Sequence, residues 1–156
     1  MLFLRLLIPI AAAAVTLSGC VQNQAAPRAE STQAPASLLG KEWFFVGFQS
    51  SSDDQPKIEV PLAKANYSVT FEPSGRASMQ LDCNRGHGEW TSSDLTQPMG
   101  SLRFGPVAST MMGCLNAHSK EGFTPDFEHI GGYRLEGGDL YLSLIADGGI
   151  YHLKTR

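Results

Sequence analysis

The stretch that decides the fold is YRLEGGDLYLSLIADGGIYHLK, residues 133–154. Residues 133–136 and 139–145 are apolar-rich runs that flank Gly137-Gly138, a dipeptide typical of a tight hairpin turn. Asp147-Gly148-Gly149 marks a second turn, and residues 150–154 form a third run. The pattern therefore predicts a three-stranded antiparallel meander.

Shorter runs of the same kind precede this meander. Residues 67–71 alternate, which places Tyr67, Val69 and Phe71 on one face of a strand. Residues 72–75 form a turn, and residues 76–82 return as an antiparallel partner. Further strands are predicted at 43–49, 87–91 and 102–104, whereas the polar residues 50–57 are predicted to form a loop.

The apolar period changes between residues 116 and 130. Phe123, Phe127 and Ile130 have the i, i+4, i+7 spacing of one helix face. Pro125 argues against a long regular helix, because it lacks an N–H donor and clashes with the preceding turn. Either one kinked helix spans residues 119–130 or a short helix begins at Pro125, and we favour two short pieces.

The first 19 residues have the features of a secretory signal, with Arg5 before an apolar run at 6–17. That run is shorter than the about 20 residues of a membrane span. Leu17-Ser18-Gly19-Cys20 resembles the lipobox of bacterial lipoproteins. The resemblance implies cleavage before Cys20, a thioether-linked diacylglycerol on its sulfur and an acyl chain on its new amine. The alternative is an ordinary signal peptide that happens to contain a cysteine.

Residues 20–37 are predicted to be the lipidated cysteine and a flexible tether, since they contain two prolines and no bulky apolar side chain after Val21. Residues 38–156 form the predicted domain. Inner-membrane lipoproteins often carry Asp after the cysteine, so Val21 favours the periplasmic face of the outer membrane in a Gram-negative host. With 12 basic and 15 acidic residues, the chain has no basic surplus for nucleic-acid binding.

Four sequence segments, taken in their order along the chain, match the motifs of a known domain family. Residues 40–48 combine Gly40 with a tryptophan, residues 82–90 read DCNRGHGEW, residues 108–114 read ASTMMGC, and residues 133–142 read YRLEGGDLYL. In this order they resemble the META domain family, which includes the HslJ-like bacterial lipoproteins, across residues 39–153. One departure is Trp90, which stands where the family usually has tyrosine.

The resemblance implies a β-dominated α+β fold: an antiparallel barrel-like sheet of about 7–8 short strands with one short or kinked helix packed against it. Members are associated with heat shock, with novobiocin tolerance and with motility or secretion, and a distant similarity to lipid-binding secretin pilotins is known. None of this supplies a catalytic mechanism. We therefore expect a monomeric, non-catalytic domain without a cofactor other than its lipid.

Cys83 and Cys114 remain once Cys20 is assigned to lipid. In an oxidising periplasm an even remainder favours a disulfide, here closing a loop of about 30 residues. Two alternatives stay open: two buried free thiols, or a zinc site formed by both cysteines with His87 and His118, which repeat the Cys-x3-His spacing.

Candidate acid–base residues are sparse. Asp82, His87 and Glu89 are close in sequence, but a strand and a tight turn would place them on a solvent face. His129 and His152 are expected to be surface or satisfied core residues. We therefore predict no enzyme.

Two functions are expected instead. The first is a lipid-anchored envelope module that binds another envelope protein or helps maintain the envelope under stress. The second is a carrier of a small apolar ligand, such as a lipid tail, inside a pilotin-like barrel.

Overall fold

The folded part of the chain is built almost entirely from β-strands. The computed structural model describes residues 37–55, 57–114 and 124–156. The helical elements within these ranges are two 3-10 turns, Leu62–Lys64 and Phe127–His129. The strands are β1 (Glu42–Gln49), β2 (Ile58–Glu59), β3 (Tyr67–Phe71), β4 (Arg76–Leu81), β5 (Asn84–Ser92), β6 (Met99–Phe104), β7 (Ala108–Ser109), β8 (Ile130–Glu136), β9 (Asp139–Leu144) and β10 (Ile150–Lys154).

Hydrogen bonding closes the sheet into an eight-stranded antiparallel barrel. The long strands pair in the order β1, β3, β4, β5, β6, β8, β9, β10, and β10 returns to pair with β1. In the closing pair, Phe45 lies opposite Leu153 and Phe48 lies opposite Tyr151. Strand β2 pairs with β1, and β7 pairs with β5. The predicted barrel-like antiparallel sheet is confirmed.

Large apolar side chains that alternate along the strands fill the inside of the barrel. In β9, Leu140 and Leu142 are fully buried, whereas Tyr141 between them lies on the outer face. The buried core consists of Leu38, Trp43, Phe45, Val69, Phe71, Ala77, Met79, Trp90, Leu102, Phe127, Ile130, Tyr133, Leu140, Leu142, Tyr151 and Leu153. Each large buried side chain contributes roughly 1.5–3 kcal/mol, so this core is the main source of stability.

Edge-to-face aromatic contacts connect strands that are distant in sequence. The Phe45 ring centre lies 5.4 Å from that of Tyr151 and 5.8 Å from that of Phe127. Phe71 and Trp90 have ring centres 5.3 Å apart. This geometry places the positive edge of one ring against the negative face of the other, which stabilises the pair beyond simple burial.

A second, smaller apolar cluster covers the outer face of β1. Phe44 and Val46 pack there against Leu62 and Ala65. The Arg156 guanidinium lies 3.9 Å from the centre of the Phe44 ring and donates hydrogen bonds to the carbonyls of Leu62 and Ala65. Strand β1 is thus buried on both faces, which explains its continuous apolar run where other strands alternate.

The helix predicted around Pro125 is a short 3-10 turn, Phe127–His129, in the part of the chain that the structure describes. Residues 119–123, the earlier part of the predicted helix, lie outside the described residues. Asp126, with φ −97° and ψ 87°, is not helical, and Ile130 already pairs with Leu144 in the β8–β9 ladder. The apolar spacing reflects burial of Phe127 inside the barrel.

The described helical segments are also too short or too polar to cross a membrane.

Strands β5, β6 and β8 begin earlier than predicted, and the sequence pattern predicts neither β2 nor β7. Glycine explains part of the difference. Gly86 and Gly88 lie within β5, and a Cβ on either one would contact the Val107 side chain at 3.4–3.5 Å. Their missing side chains let the segment before β7 pack closely on β5, and sequence alternation cannot show this.

Candidate functional site

A disulfide joins Cys83, in the turn between β4 and β5, to Cys114, which follows β7. Their Cα atoms lie 5.7 Å apart across a sequence separation of 31. The bond is the favoured one of the three predicted states, and it consumes both thiolates that the zinc alternative requires. Of the two histidines in that alternative, His87 is exposed on β5, and His118 lies outside the described residues.

Asn84 holds the chain segment that leads into Cys114. Its side-chain oxygen accepts hydrogen bonds from the Met112 amide at 2.7 Å and from the Thr110 hydroxyl at 2.8 Å. Its side-chain amide donates to the Met112 carbonyl at 3.1 Å. One asparagine therefore uses both its acceptor and its donor groups on residues 110–112, which we call the methionine loop.

Two further hydrogen bonds join β5 to the methionine loop. The Thr110 amide donates to the Arg85 carbonyl at 3.0 Å, and the Arg85 amide donates to the Thr110 hydroxyl at 3.1 Å. Because β7 pairs with β5 just before this point, the loop continues a strand rather than leaving the barrel freely. The disulfide and these bonds fix the loop from both of its ends.

The methionine loop presents apolar side chains to solvent. Met111 is 95% exposed and Met112 is 62% exposed. Because the loop backbone is already fixed, covering these side chains costs little further backbone entropy, although each methionine still loses rotamer freedom. Burial of their apolar surface then favours binding. The loop is therefore the candidate interaction site.

This site lies at the end of the barrel opposite the place where the chain enters. Leu39 bridges to Phe71, the last residue of β3, and the Trp43 indole donates to the Leu38 carbonyl at 2.9 Å. Tyr67, the first residue of β3, pairs with Leu81, immediately before the turn that contains the disulfide. The length of β3 thus separates the entering chain from the disulfide.

Of the candidate acid–base residues, Asp82 and Glu89 are not brought together, whereas His87 and Glu89 both lie on the exposed face of β5. Asp82 occupies the β4–β5 turn with φ 58°, and its carboxylate accepts a hydrogen bond from the Asn66 side chain at 3.4 Å. Glu89 lies far along β5, opposite Arg76. At about 3.3 Å per residue, roughly 16 Å of strand separates the turn from Glu89. Among the described residues, His, Cys, Asp and Glu side chains form no group of three or more suited to a metal ion.

His129 belongs to a surface ion pair. Its Nδ1 atom lies 2.8 Å from the Asp126 carboxylate, and both side chains are more than half exposed. The hydrogen bond to Asp126 raises the pKa of His129 above its ordinary value. Beside it, the Tyr151 hydroxyl accepts a hydrogen bond from the Asp126 amide, and burial raises the pKa of this tyrosine. The arrangement fixes the end of the 3-10 turn.

His152 belongs to a cross-strand row on the outer face of β8, β9 and β10. Its ring stacks on Tyr141 with centres 4.7 Å apart, and its Nε2 atom lies 2.7 Å from the Asp139 carboxylate. The Arg134 guanidinium lies 4.5 Å from the Tyr141 ring centre, and Lys154 also reaches Asp139 at 3.3 Å. The row satisfies its own charged groups, so His152 is a structural surface residue.

Asn84 and Thr110 lie within the sequence motifs, but no local pattern indicates their role. A signal was available, since a Cys83–Cys114 bond must bring the neighbouring residues 84 and 110–112 within reach of one another. Cys20, the predicted lipidation site, lies outside the described residues.

Comparison with known proteins identifies the fold. The META domain family model matches residues 36–155. No curated protein matches the chain. The NMR structure of a protein from Burkholderia xenovorans is 22% identical with a TM-score of 0.56, covering 76% of this chain and 83% of its own. A DUF4847 family protein from Bacteroides vulgatus is 13% identical with a TM-score of 0.49, covering 79% and 95% respectively. The first similarity shows the fold alone.

Proposed function

The chain belongs to the META domain family, and we propose that it is a lipid-anchored, non-catalytic module of the bacterial cell envelope that binds another envelope protein. The single observation that carries the binding role is the methionine loop, whose apolar side chains stand on a backbone held by Asn84 and the disulfide. The family resemblance adds a role in the response to envelope stress.

The anchor is argued from the sequence. The lipobox-like tetrapeptide at 17–20 places a modifiable cysteine directly after an apolar signal. A diacylglycerol and an N-acyl chain together give far stronger membrane attachment than one chain, because each buried CH2 contributes about 0.8 kcal/mol. Val21 after the cysteine favours the periplasmic face of the outer membrane.

The geometry of the domain suits a tethered binding module. The described part of the chain enters the barrel at Leu38, and the methionine loop lies at the opposite end. A partner can therefore reach Met111 without contacting the barrel around Leu38. In the part of the chain that the structure describes, His129 and His152 are each engaged in an ion pair with an aspartate.

The apolar-ligand alternative receives less support. A lipid tail inside the barrel would have to displace core side chains such as Phe45, Leu102 and Leu142, which are at most 1% exposed. Removing such groups from a packed core costs several kcal/mol each. The variant Cys20→Ser lacks the predicted lipid attachment site. Lipid that copurifies with this variant in native mass spectrometry would favour this alternative.

Anchoring is tested by expressing the full precursor in a Gram-negative host with labelled palmitate. We expect labelled protein in the outer-membrane fraction and no label on Cys20→Ser, because that variant lacks the acceptor thiol. The matched control, Cys83→Ser/Cys114→Ser, should keep its label. Equal labelling of Cys20→Ser and the unmodified chain would contradict the anchor.

Binding is tested by photo-crosslinking in cells. A photoreactive residue in place of Met111 should give a discrete adduct with an envelope protein, whereas the same residue in place of Ser74, an exposed position in the β3–β4 turn, should not. Crosslinks of the same pattern from both positions, or none from Met111 under unstressed and stressed growth, would argue against the methionine loop as the binding site.

A further inference from the structure

The methionines of this chain differ widely in exposure. The sequence contains five, of which Met1 lies in the predicted signal. Met111 is 95% exposed, Met112 is 62% exposed and Met99 is 58% exposed, whereas Met79 is 4% exposed inside the barrel. Oxidation of methionine depends on access of the oxidant to the thioether sulfur. The structure thus contains a graded series with Met111 at the accessible extreme.

The hydrogen bonds of the methionine loop hold the residues on both sides of Met111. Thr110 is bound through its amide to Arg85 and through its hydroxyl to Asn84. Met112 is bound through its amide and its carbonyl to Asn84. The loop backbone is therefore fixed without the Met111 side chain, which is almost entirely in solvent.

We propose that Met111 is a reversible oxidation site, which reacts with hydrogen peroxide or hypochlorous acid before the other methionines and leaves the barrel intact. With hydrogen peroxide, the Met111 sulfur attacks an oxygen, so an S–O bond forms as the O–O bond breaks. With hypochlorous acid, the sulfur attacks chlorine as the O–Cl bond breaks, and water then forms the S–O bond as chloride leaves. Sulfur gives up two electrons, and the oxidant leaves as water or as hydrochloric acid. A dithiol-dependent methionine sulfoxide reductase reverses the reaction, as its thiols become a disulfide and the oxygen leaves as water.

Two physical consequences follow from the location. A sulfoxide at Met79 would place a polar group in an apolar core, which is costly. A sulfoxide at Met111 remains in water, so it should cost the folded state almost nothing. It would nevertheless turn the most exposed apolar side chain of the methionine loop into a polar one. The reaction itself depends only on the geometry of the loop and holds whether or not the loop binds a partner.

The test uses the full lipidated chain in detergent micelles, treated with less than one equivalent of hypochlorous acid and analysed by peptide mass spectrometry. Sulfoxide at Met111 should form about ten-fold faster than at Met79 and about two-fold faster than at Met99. The thermal unfolding midpoint of the oxidised chain should equal that of the untreated chain, and the reductase with dithiothreitol should restore the original mass.

Variants sharpen the result. Met111→Leu should divert the first equivalent to Met99 and Met112, whereas the matched control Met99→Leu should leave the Met111 rate unchanged. The proposal is overturned if Met79, Met99 or Met112 is oxidised as fast as Met111, if the sulfoxide at Met111 lowers the unfolding midpoint, or if the reductase fails to remove it.

Discussion

Asn84 illustrates how one side chain sets the shape of a loop. An asparagine carries one acceptor oxygen and one donor amide, and both are used here on residues 110–112. Aspartate at this position would keep the acceptor and lose the donor to the Met112 carbonyl. The methionine loop thus depends on the amide itself rather than on a polar residue in general.

We predict that Asn84→Ala loosens the methionine loop and lowers the free energy of unfolding by about 1–3 kcal/mol, since it removes several hydrogen bonds of ordinary strength. Hydrogen exchange is the measurement. The Met112 amide, which donates to Asn84, should exchange much faster, whereas the Thr110 amide, which donates to Arg85, should change less. Unchanged protection of Met112 would contradict the role of Asn84.

Gly149 is a second residue whose identity is fixed by its surroundings. It has φ +125°, and a Cβ there would collide with the Gln49 carbonyl oxygen. Gly137 also has a positive φ, +62°, but a Cβ at that position would meet open space. Gly149 therefore combines the more strained φ with a steric collision, whereas Gly137 has only a left-handed backbone.

We expect Gly149→Ala to lower the free energy of unfolding by more than about 2 kcal/mol, because it adds a collision to the strain. Gly137→Ala should cost only about 1–2 kcal/mol, the ordinary penalty for a left-handed non-glycine residue. Urea denaturation of both variants gives the comparison. Equal losses would show that the Gln49 contact relaxes freely.

At the level of elements, the disulfide joins a hairpin turn to a segment that pairs only briefly with the barrel. Cys83 lies in the β4–β5 turn, and β7 (Ala108–Ser109) is a two-residue strand. Such a short strand contributes few ladder hydrogen bonds. The covalent bond and Asn84 supply what the ladder lacks.

We predict that Cys83→Ala/Cys114→Ala lowers the free energy of unfolding by about 3–4 kcal/mol, the chain-entropy value for a loop of this length. Far-UV circular dichroism of the double variant should stay that of the barrel, since β1 and β10 close it without the disulfide. The unmodified chain in excess dithiothreitol is the control and should lose the same amount. A loss below about 1 kcal/mol would mean that the reduced unfolded state is already constrained.

At the scale of the whole barrel, the residues that close the sheet also fill its interior. The first and last strands meet through β1 and β10, and Phe45 stands at this seam, opposite Leu153 and against Tyr151 and Phe127. A sheet closed on itself has few unpaired edges. Its stability then depends on how well its interior is filled.

Truncation at the seam tests this dependence. Phe45→Ala should lower the free energy of unfolding by about 3–5 kcal/mol, because the surrounding side chains can only partly collapse into the space. Leu95→Ala is the matched control: Leu95 is 43% exposed, and its loss should change stability by less than about 0.5 kcal/mol. Chemical denaturation monitored by tryptophan fluorescence measures both, and a small effect at Phe45 would indicate a loosely packed interior.

Prediction succeeded where local pattern and local structure coincide. Strand β3 and strand β10 have the predicted bounds, because each alternates cleanly and is flanked by turn residues. It failed for the helix at Phe127, whose apolar spacing serves the barrel interior. It also missed β7, whose pairing with β5 requires glycines 86 and 88 to face Val107. Long-range packing decided both cases.

The sequence by itself determined the family and most of the antiparallel strands, because these depend on alternation, turn residues and motif order within short windows. Only the tertiary structure decided that β10 pairs with β1 and that Asn84 forms hydrogen bonds with the methionine loop. Those contacts join residues far apart in the chain. Their geometry arises only when the core packs, so no local pattern in the sequence records it.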